Sequence, residues 1–159
     1  MRTARIERDQ ATKGFGLGKR RLSHLPPRLI TGAYIVNTGA SKLGAGEETA
    51  KRLHGMATAA YPFLGKLDAQ QFTRLLGAGE LTLGASLLLP IVPTALAGLG
   101  LAGFSAGLLG MYLRIPGMRE NGSLRPTAQG TALAKDAWLL GIGLSFVLDA
   151  VLSRRDDAR

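Results

Sequence analysis

Apolar runs alternate with charged stretches along this chain, and the clearest run extends from about Leu75 to Val92 with Glu80 as its one charge. A run of about 18 residues is what a membrane-spanning helix needs, because the hydrocarbon layer is roughly 30 Å thick and a helix rises 1.5 Å per residue. Asp68 followed by Gln71 is a capping-box-like start, which places this second predicted span over 68–89 with Glu80 about 18 Å in, near the midplane. Pro90 and Pro93 then bracket a short uncharged turn, so the second and third spans are expected to be antiparallel neighbours.

The other elements follow the same logic. Pro26 and Pro27 open a first span over 28–43, since proline suits the first helical turn. At about 15 residues it is short for a crossing, and Arg28 and Lys42 at its two ends extend it by reaching to opposite interfaces. Gly44 and Gly46 end it. From Glu47 to Leu64 the apolar positions Leu53, Met56, Ala57, Ala60, Tyr61 and Leu64 recur at three- and four-residue spacing, with the charged residues mainly off that stripe. Two readings fit: a short helix lying in the membrane interface, or a polar loop with one helical turn. His54 on this segment has no second ligand at metal-site spacing and reads as a solvated side chain.

The third span, 94–115, is rich in small residues. Gly103 and Gly107 are four apart, with Ala102, Ala106 and Gly110 on an adjacent face, which is how helices approach closely in lipid. Breakers at Pro116, Gly117, Asn121, Gly122 and Pro126 make 114–130 a loop. Thr131 caps a fourth span, 131–152, on which Ala137, Gly141, Ser145 and Asp149 share a stripe and Trp138 sits at aromatic-belt height. The fold class is therefore all-α: an integral-membrane four-helix bundle with a short interfacial helix after the first span. The 159 residues suffice for one domain, 27–152, flanked by a basic N-tail, 1–26, and a short C-tail, 153–159.

Charge changes the picture in one respect. Twenty Lys and Arg against eleven Asp and Glu give a formal charge of +9, which invites a nucleic-acid reading. The basic residues flank apolar runs, where the positive-inside bias also places them, so no nucleic-acid partner is expected and the bilayer is. Residues 1–25 carry seven Lys or Arg among Gly14, Gly16 and Gly18 and cannot bury a core. They read as a mobile segment attracted to anionic lipid, or as a docking arm for an acidic partner. Basic residues number eleven on the side of the termini against nine on the other, and the N-tail sets both termini on the cytoplasmic side. No signal-peptide pattern follows Met1 directly.

Candidate chemistry centres on the spans. A carboxyl at the depth of Glu80 costs on the order of 2.5 to 3.5 kcal/mol on insertion scales, so it needs a partner from another helix. Equal depths propose three pairs: Asn37 with Glu80, Arg28 with Asp149 at the inner interface, and Lys42 with Asp136 at the outer one. The last two pairs would clamp the first span to the fourth. Arg74 reaches back to the headgroups, and Lys135 precedes Asp136 at the opening of the last span. The absence of cysteine excludes disulfides, thiolate metal sites and iron–sulfur clusters carried by this chain, and no metal site is expected.

Arg28, Gly32, Gly39 and Lys42 in the first span, Gly79-Glu80 followed by Gly84 in the second, and Lys135-Asp136 opening the last resemble the DoxX-like family of small bacterial membrane proteins. The likeness covers about residues 27–152. It implies a multi-pass four-helix bundle in the bacterial cytoplasmic membrane; Gly32, Gly39 and Gly84 from this pattern, with Gly103, Gly107 and Gly141 from the small-residue spacing, are the expected helix-packing positions. Some members resemble the small subunit of a thiosulfate:quinone oxidoreductase, and others associate with redox or oxidative-stress proteins. Two functions follow: a non-catalytic subunit or scaffold that holds protein partners at the bilayer and needs no cofactor, or a quinone-linked oxidoreductase subunit in which Glu80, with Asn37 beside it, handles the proton of a quinone. A small transporter would also use Glu80, but no internal repeat or broken helix pair is visible in the sequence.

Overall fold

The computed structural model describes residues 22–157. The expected mobile N-tail lies outside these residues apart from 22–26, as do the last two residues of the C-tail. The elements are α1 (Leu25–Leu43), α2 (Glu47–Ala60), a 3₁₀ turn (Pro62–Lys66), α3 (Ala69–Leu88), α4 (Thr94–Arg114), the single-turn α5 (Thr131–Ala134) and α6 (Asp136–Asp157). The described residues form no strand beyond one isolated bridge between Arg119 and Pro126.

Local chemistry sets most of these boundaries. Pro26 and Pro27 occupy the first turn of α1, and Gly44 closes it. Glu47 and Glu48 lie in the first turn of α2, where negative charge complements the helix dipole, and Pro62 stops the helix two residues after its end. Of the two readings of this segment, the structure takes the helix. The Asp68 carboxylate accepts from the backbone N–H groups of Gln70 at 2.8 Å and Gln71 at 3.3 Å and so caps α3. Pro90 prevents α3 from continuing. The loop from 115 to 130 is held by Tyr112 Oη donating to the Leu124 carbonyl at 2.6 Å and by the Thr127 N–H donating to the Met118 carbonyl at 3.0 Å. The last helix does not begin at a Thr131 cap. Thr131 Oγ1 instead donates back to the Thr127 carbonyl at 2.9 Å, and the chain tightens at Lys135 before α6 starts at Asp136.

The four long helices pack as two close antiparallel pairs, α1 with α3 and α4 with α6. Gly32 and Gly39 are seven residues apart on α1, as are Gly77 and Gly84 on α3, so two successive small patches meet at a two-turn interval. A methyl group on Gly39 would stand 2.8 Å from the Gly77 carbonyl oxygen, and one on Gly84 would stand 2.8 Å from the Val36 nitrogen. The second pair closes at Gly98 and Gly143, where a methyl on Gly98 would meet the Phe146 Cβ at 2.7 Å and the Gly143 carbonyl at 2.8 Å. The expected packing roles of Gly103, Gly107 and Gly141 are corrected, since a methyl on any of them meets no neighbouring atom within 4 Å. Their four-residue spacing lies on faces that turn away from the partner helix. The two pairs join at one end through Ile35, Leu87, Ala97, Leu101 and Phe146, all nearly inaccessible.

Each pair is a helical hairpin with a long connector, α2 and the 3₁₀ turn in one and the 115–130 loop with α5 in the other. Both connectors lie at the same end of the molecule, and the short Leu89–Pro93 turn joins the hairpins at the opposite end. Among the described residues two helical stretches, Thr94–Arg114 and Thr131–Arg155, are long and apolar enough to cross a membrane. α1 and α3 carry two charges each within their length, Arg28 with Lys42 and Arg74 with Glu80.

Candidate functional site

Glu80 lies on the α3 face that meets α1, 5% exposed, where a methyl on Gly39 would stand 3.0 Å from its Cβ. Its partner is Lys42, three residues after Gly39 on α1. Lys42 Nζ donates to Glu80 Oε2 at 2.7 Å and makes a longer contact of 3.4 Å to the Thr38 carbonyl. This is a short charge-assisted hydrogen bond in surroundings with little water, where such bonds are strongest. Asn37 is exposed and does not pair with Glu80, contrary to the depth estimate. Equal depth fixes height along a helix but not the direction around it, and beside Glu80 it is Gly39 that faces α3.

The pair borders a cavity of about 470 Å³ between the two helix hairpins at the connector end. Its walls are mainly apolar and aromatic, with Tyr34, Met56, Phe72, Phe104, Met111 and Leu139 among them. Lys42, Glu80 and Asp136 are its charged lining residues. The turn at Lys135 places Asp136 in the first turn of α6, where the helix dipole favours a carboxylate. The expected Lys42–Asp136 bridge is not formed, because Lys42 is engaged by Glu80 on its own hairpin. Among the described residues the Asp136 side chain has no hydrogen bond or ion pair.

Connector residues close this end of the cavity. Tyr61 Oη donates to the Gly107 carbonyl on α4 at 2.8 Å, and the Arg114 guanidinium lies 4.8 Å from the Tyr61 ring centre. His54 is more than a solvated side chain: its Nε2 is 3.0 Å from the Leu64 carbonyl oxygen and its ring lies 5.3 Å from that of Phe72. Sequence reading missed the Tyr61 tie to α4. The signal available was the position of Tyr61 on the apolar stripe of α2, which says that the ring is covered but not by which helix.

At the other end Arg28 does something that depth matching did not propose. Its guanidinium donates to the carbonyls of Leu87 at 2.8 Å, Ser86 at 2.9 Å, Leu89 at 2.9 Å and Val92 at 3.3 Å, and to Thr94 Oγ1 at 3.0 Å. The cause is in the sequence. The helical donor for the Ser86 carbonyl would be the N–H of residue 90, a proline, while the Leu89 carbonyl also accepts from the Val92 N–H at 3.2 Å. A five-donor fork is well suited to such a cluster of helix-end carbonyls, and burying it there satisfies both sides. The Arg28–Asp149 bridge is therefore absent, and Asp149 instead faces His24, whose Nε2 is 3.6 Å from its carboxylate. The His24 ring also packs on Phe146 at 5.1 Å. Arg74 and Lys135 are exposed and take no part in either cluster.

No protein-family model, curated protein or solved structure matches this chain. Any functional reading rests on the geometry above and on the residue pattern. Among the described residues no three His, Cys, Asp or Glu side chains form a group that could hold a metal ion. What the arrangement offers is an apolar, aromatic cavity with one neutralised ion pair on one wall and a second carboxylate on the other.

Proposed function

We propose that this chain is a DoxX-like, four-span integral-membrane protein that acts as a non-catalytic subunit or scaffold of a membrane-associated assembly linked to redox or oxidative-stress chemistry. The observation that carries the membrane part is the outward display of large apolar side chains on every long helix: Ile30 and Tyr34 on α1, Leu75 on α3, Leu99 on α4, Trp138 and Leu148 on α6, each more than half exposed. Only 28% and 11% of the most apolar windows of the two candidate spans are buried, which is unlike the core helix of a soluble protein. The charges of α1 and α3 that lower their hydropathy are mostly turned inward, since Arg28, Lys42 and Glu80 are consumed by contacts inside the molecule.

The scaffold part is supported by how those charges are used. Arg28 closes the end of one helix and Lys42 neutralises Glu80, and both are architectural tasks. The likeness of the residue pattern to the DoxX-like family supports a bacterial cytoplasmic membrane and a redox-linked assembly. The basic N-tail supports cytoplasmic termini.

A second reading, a membrane subunit of a quinone-linked oxidoreductase, is favoured by the cavity beside Glu80. Its volume is in the range of ligand pockets, roughly 300–1,000 Å³. A quinone held there would supply two-electron, two-proton carrier chemistry. Lys42 would donate a hydrogen bond to it, and Glu80 or Asp136 would hold a proton at the carboxylate.

One experiment separates the two. The tagged protein is purified from its own membranes in mild detergent, its companions are identified, and quinone-dependent electron transfer is assayed before and after Glu80→Gln. Companions with no turnover support the scaffold. Turnover that disappears in Glu80→Gln while every companion is retained overturns it.

A further inference from the structure

We propose that the cavity between the two helix hairpins binds an amphipathic organic monocation, a molecule with one amine or ammonium group and an aromatic or alkyl body, with Asp136 as its counter-ion. The proposal goes beyond the scaffold reading and does not depend on it.

Charge balance points to a cation. Three charged side chains line the cavity, and Lys42 and Glu80 cancel at 2.7 Å. Asp136 lines the same space from the first turn of α6, its side chain without a partner among the described residues. A bound ammonium group beside Asp136 would neutralise the lining as a whole. A carboxylate or phosphate guest would add a third negative charge to the same walls. The Lys42 ammonium does not fill the need, because its charge is taken up by Glu80 at 2.7 Å.

Shape and wall chemistry specify the rest of the guest. The aromatic residues Tyr34, Tyr61, Phe72 and Phe104 line the space, and ring faces attract organic cations as well as apolar bodies. Tyr61 already stacks with the Arg114 guanidinium. A volume of about 470 Å³ holds a small drug-sized molecule rather than a metal ion or a peptide. Met56 and Met111 give the walls unbranched, adaptable side chains, which fits a guest recognised by charge and bulk more than by exact outline.

The test uses two probes that share a carbon skeleton and differ in charge, 4-phenylbutylamine and 4-phenylbutanol. Each is titrated against the full-length protein in nanodiscs of zwitterionic lipid, with empty discs subtracted. The amine is expected to bind at least about tenfold more tightly than the alcohol, the lower end of what a close charge pair contributes. Asp136→Asn should reduce that preference to about threefold or less, and Asp136→Glu should keep it. Leu139→Phe, which narrows the cavity and preserves every charge, should weaken the amine and so tests the location even if Asp136→Asn does not assemble. Equal binding of amine and alcohol by the unaltered protein would show a lipid-filled gap and overturn the proposal. So would binding of neither probe, a preference that survives Asp136→Asn, or amine affinity untouched by Leu139→Phe.

Discussion

Lys42 and Glu80 form a 2.7 Å ion pair inside one helix hairpin, between backbones brought together by glycines, while Asp136 of the other hairpin faces the same cavity unpaired. Removing one member strands the other charge in surroundings with little water, at a cost of about 3–5 kcal/mol. Lys42→Met and Glu80→Leu are each expected to lose that much in reversible unfolding with SDS in mixed micelles. The double variant should regain most of the loss, because two apolar side chains replace a neutral pair. Additive losses in the double variant would mean that the two side chains do not act as a pair. Exchanging charges between Lys42 and Asp136 should give no comparable rescue.

Arg28 replaces the hydrogen bond to the Ser86 carbonyl that Pro90 cannot provide. A lysine keeps the charge but lacks the planar fork needed to reach the carbonyls of Ser86, Leu87 and Leu89 together. Arg28→Lys should lower stability by about 1.5–3 kcal/mol, the scale of a hydrogen bond to a charged group, and Arg28→Met by more. In a double-mutant cycle Pro90→Ala, which returns an N–H toward Ser86, should lessen the Arg28→Lys loss. If the cycle shows no coupling, the proline explanation of the buried arginine is wrong.

The helices are legible in the sequence because their ends are chemically marked. Asp68 caps α3, Pro26 and Pro27 open α1, and Pro90 and Pro116 close off α3 and α4, so the four long helices fall within a few residues of their expected bounds. Depth arithmetic also brought Lys42 and Asp136 to the same end of the molecule. Azimuth was not legible. At the height of Glu80 the α1 residue facing α3 is Gly39, while Asn37 points in the exposed direction, and the observed partner Lys42 lies about one turn beyond Gly39. The same limit explains the glycines. Gly103 and Gly107 have the spacing of a packing motif, but Gly98 and Gly143 lie on the faces that meet. Arg28 was assigned the wrong partner for another reason: an opposite charge was sought, while the nearest unmet need was the Ser86 carbonyl, which Pro90 leaves without its helical donor.

Glycine substitution separates contact from spacing. Gly39→Ala and Gly84→Ala would push a methyl group to 2.8 Å from backbone atoms of the facing helix, so the α1–α3 pair must spread. Both should lower the thermal stability of the detergent-solubilised protein. Gly103→Ala and Gly141→Ala meet no neighbouring atom within 4 Å and should be neutral, or stabilising by up to about 1 kcal/mol through helix propensity. Melting followed by light scattering would rank the four variants, and a drop for Gly103→Ala as large as that for Gly39→Ala would count against the packing described.

Trp138 is the chain's single tryptophan, 73% exposed, and lies in the first turn of α6, near one end of the candidate span. In a bilayer that position puts the indole in the interface, with its ring among the lipid chains and its N–H toward water. Its fluorescence should be blue-shifted in vesicles, and lipids brominated near the headgroup should quench it more strongly than lipids brominated near the end of the acyl chain. An aqueous quencher such as iodide should have little access. Emission at the position of free tryptophan in water, with full iodide quenching and no effect of brominated lipid, would place α6 outside the membrane. The four-span reading would then fail at the less buried of the two candidate spans.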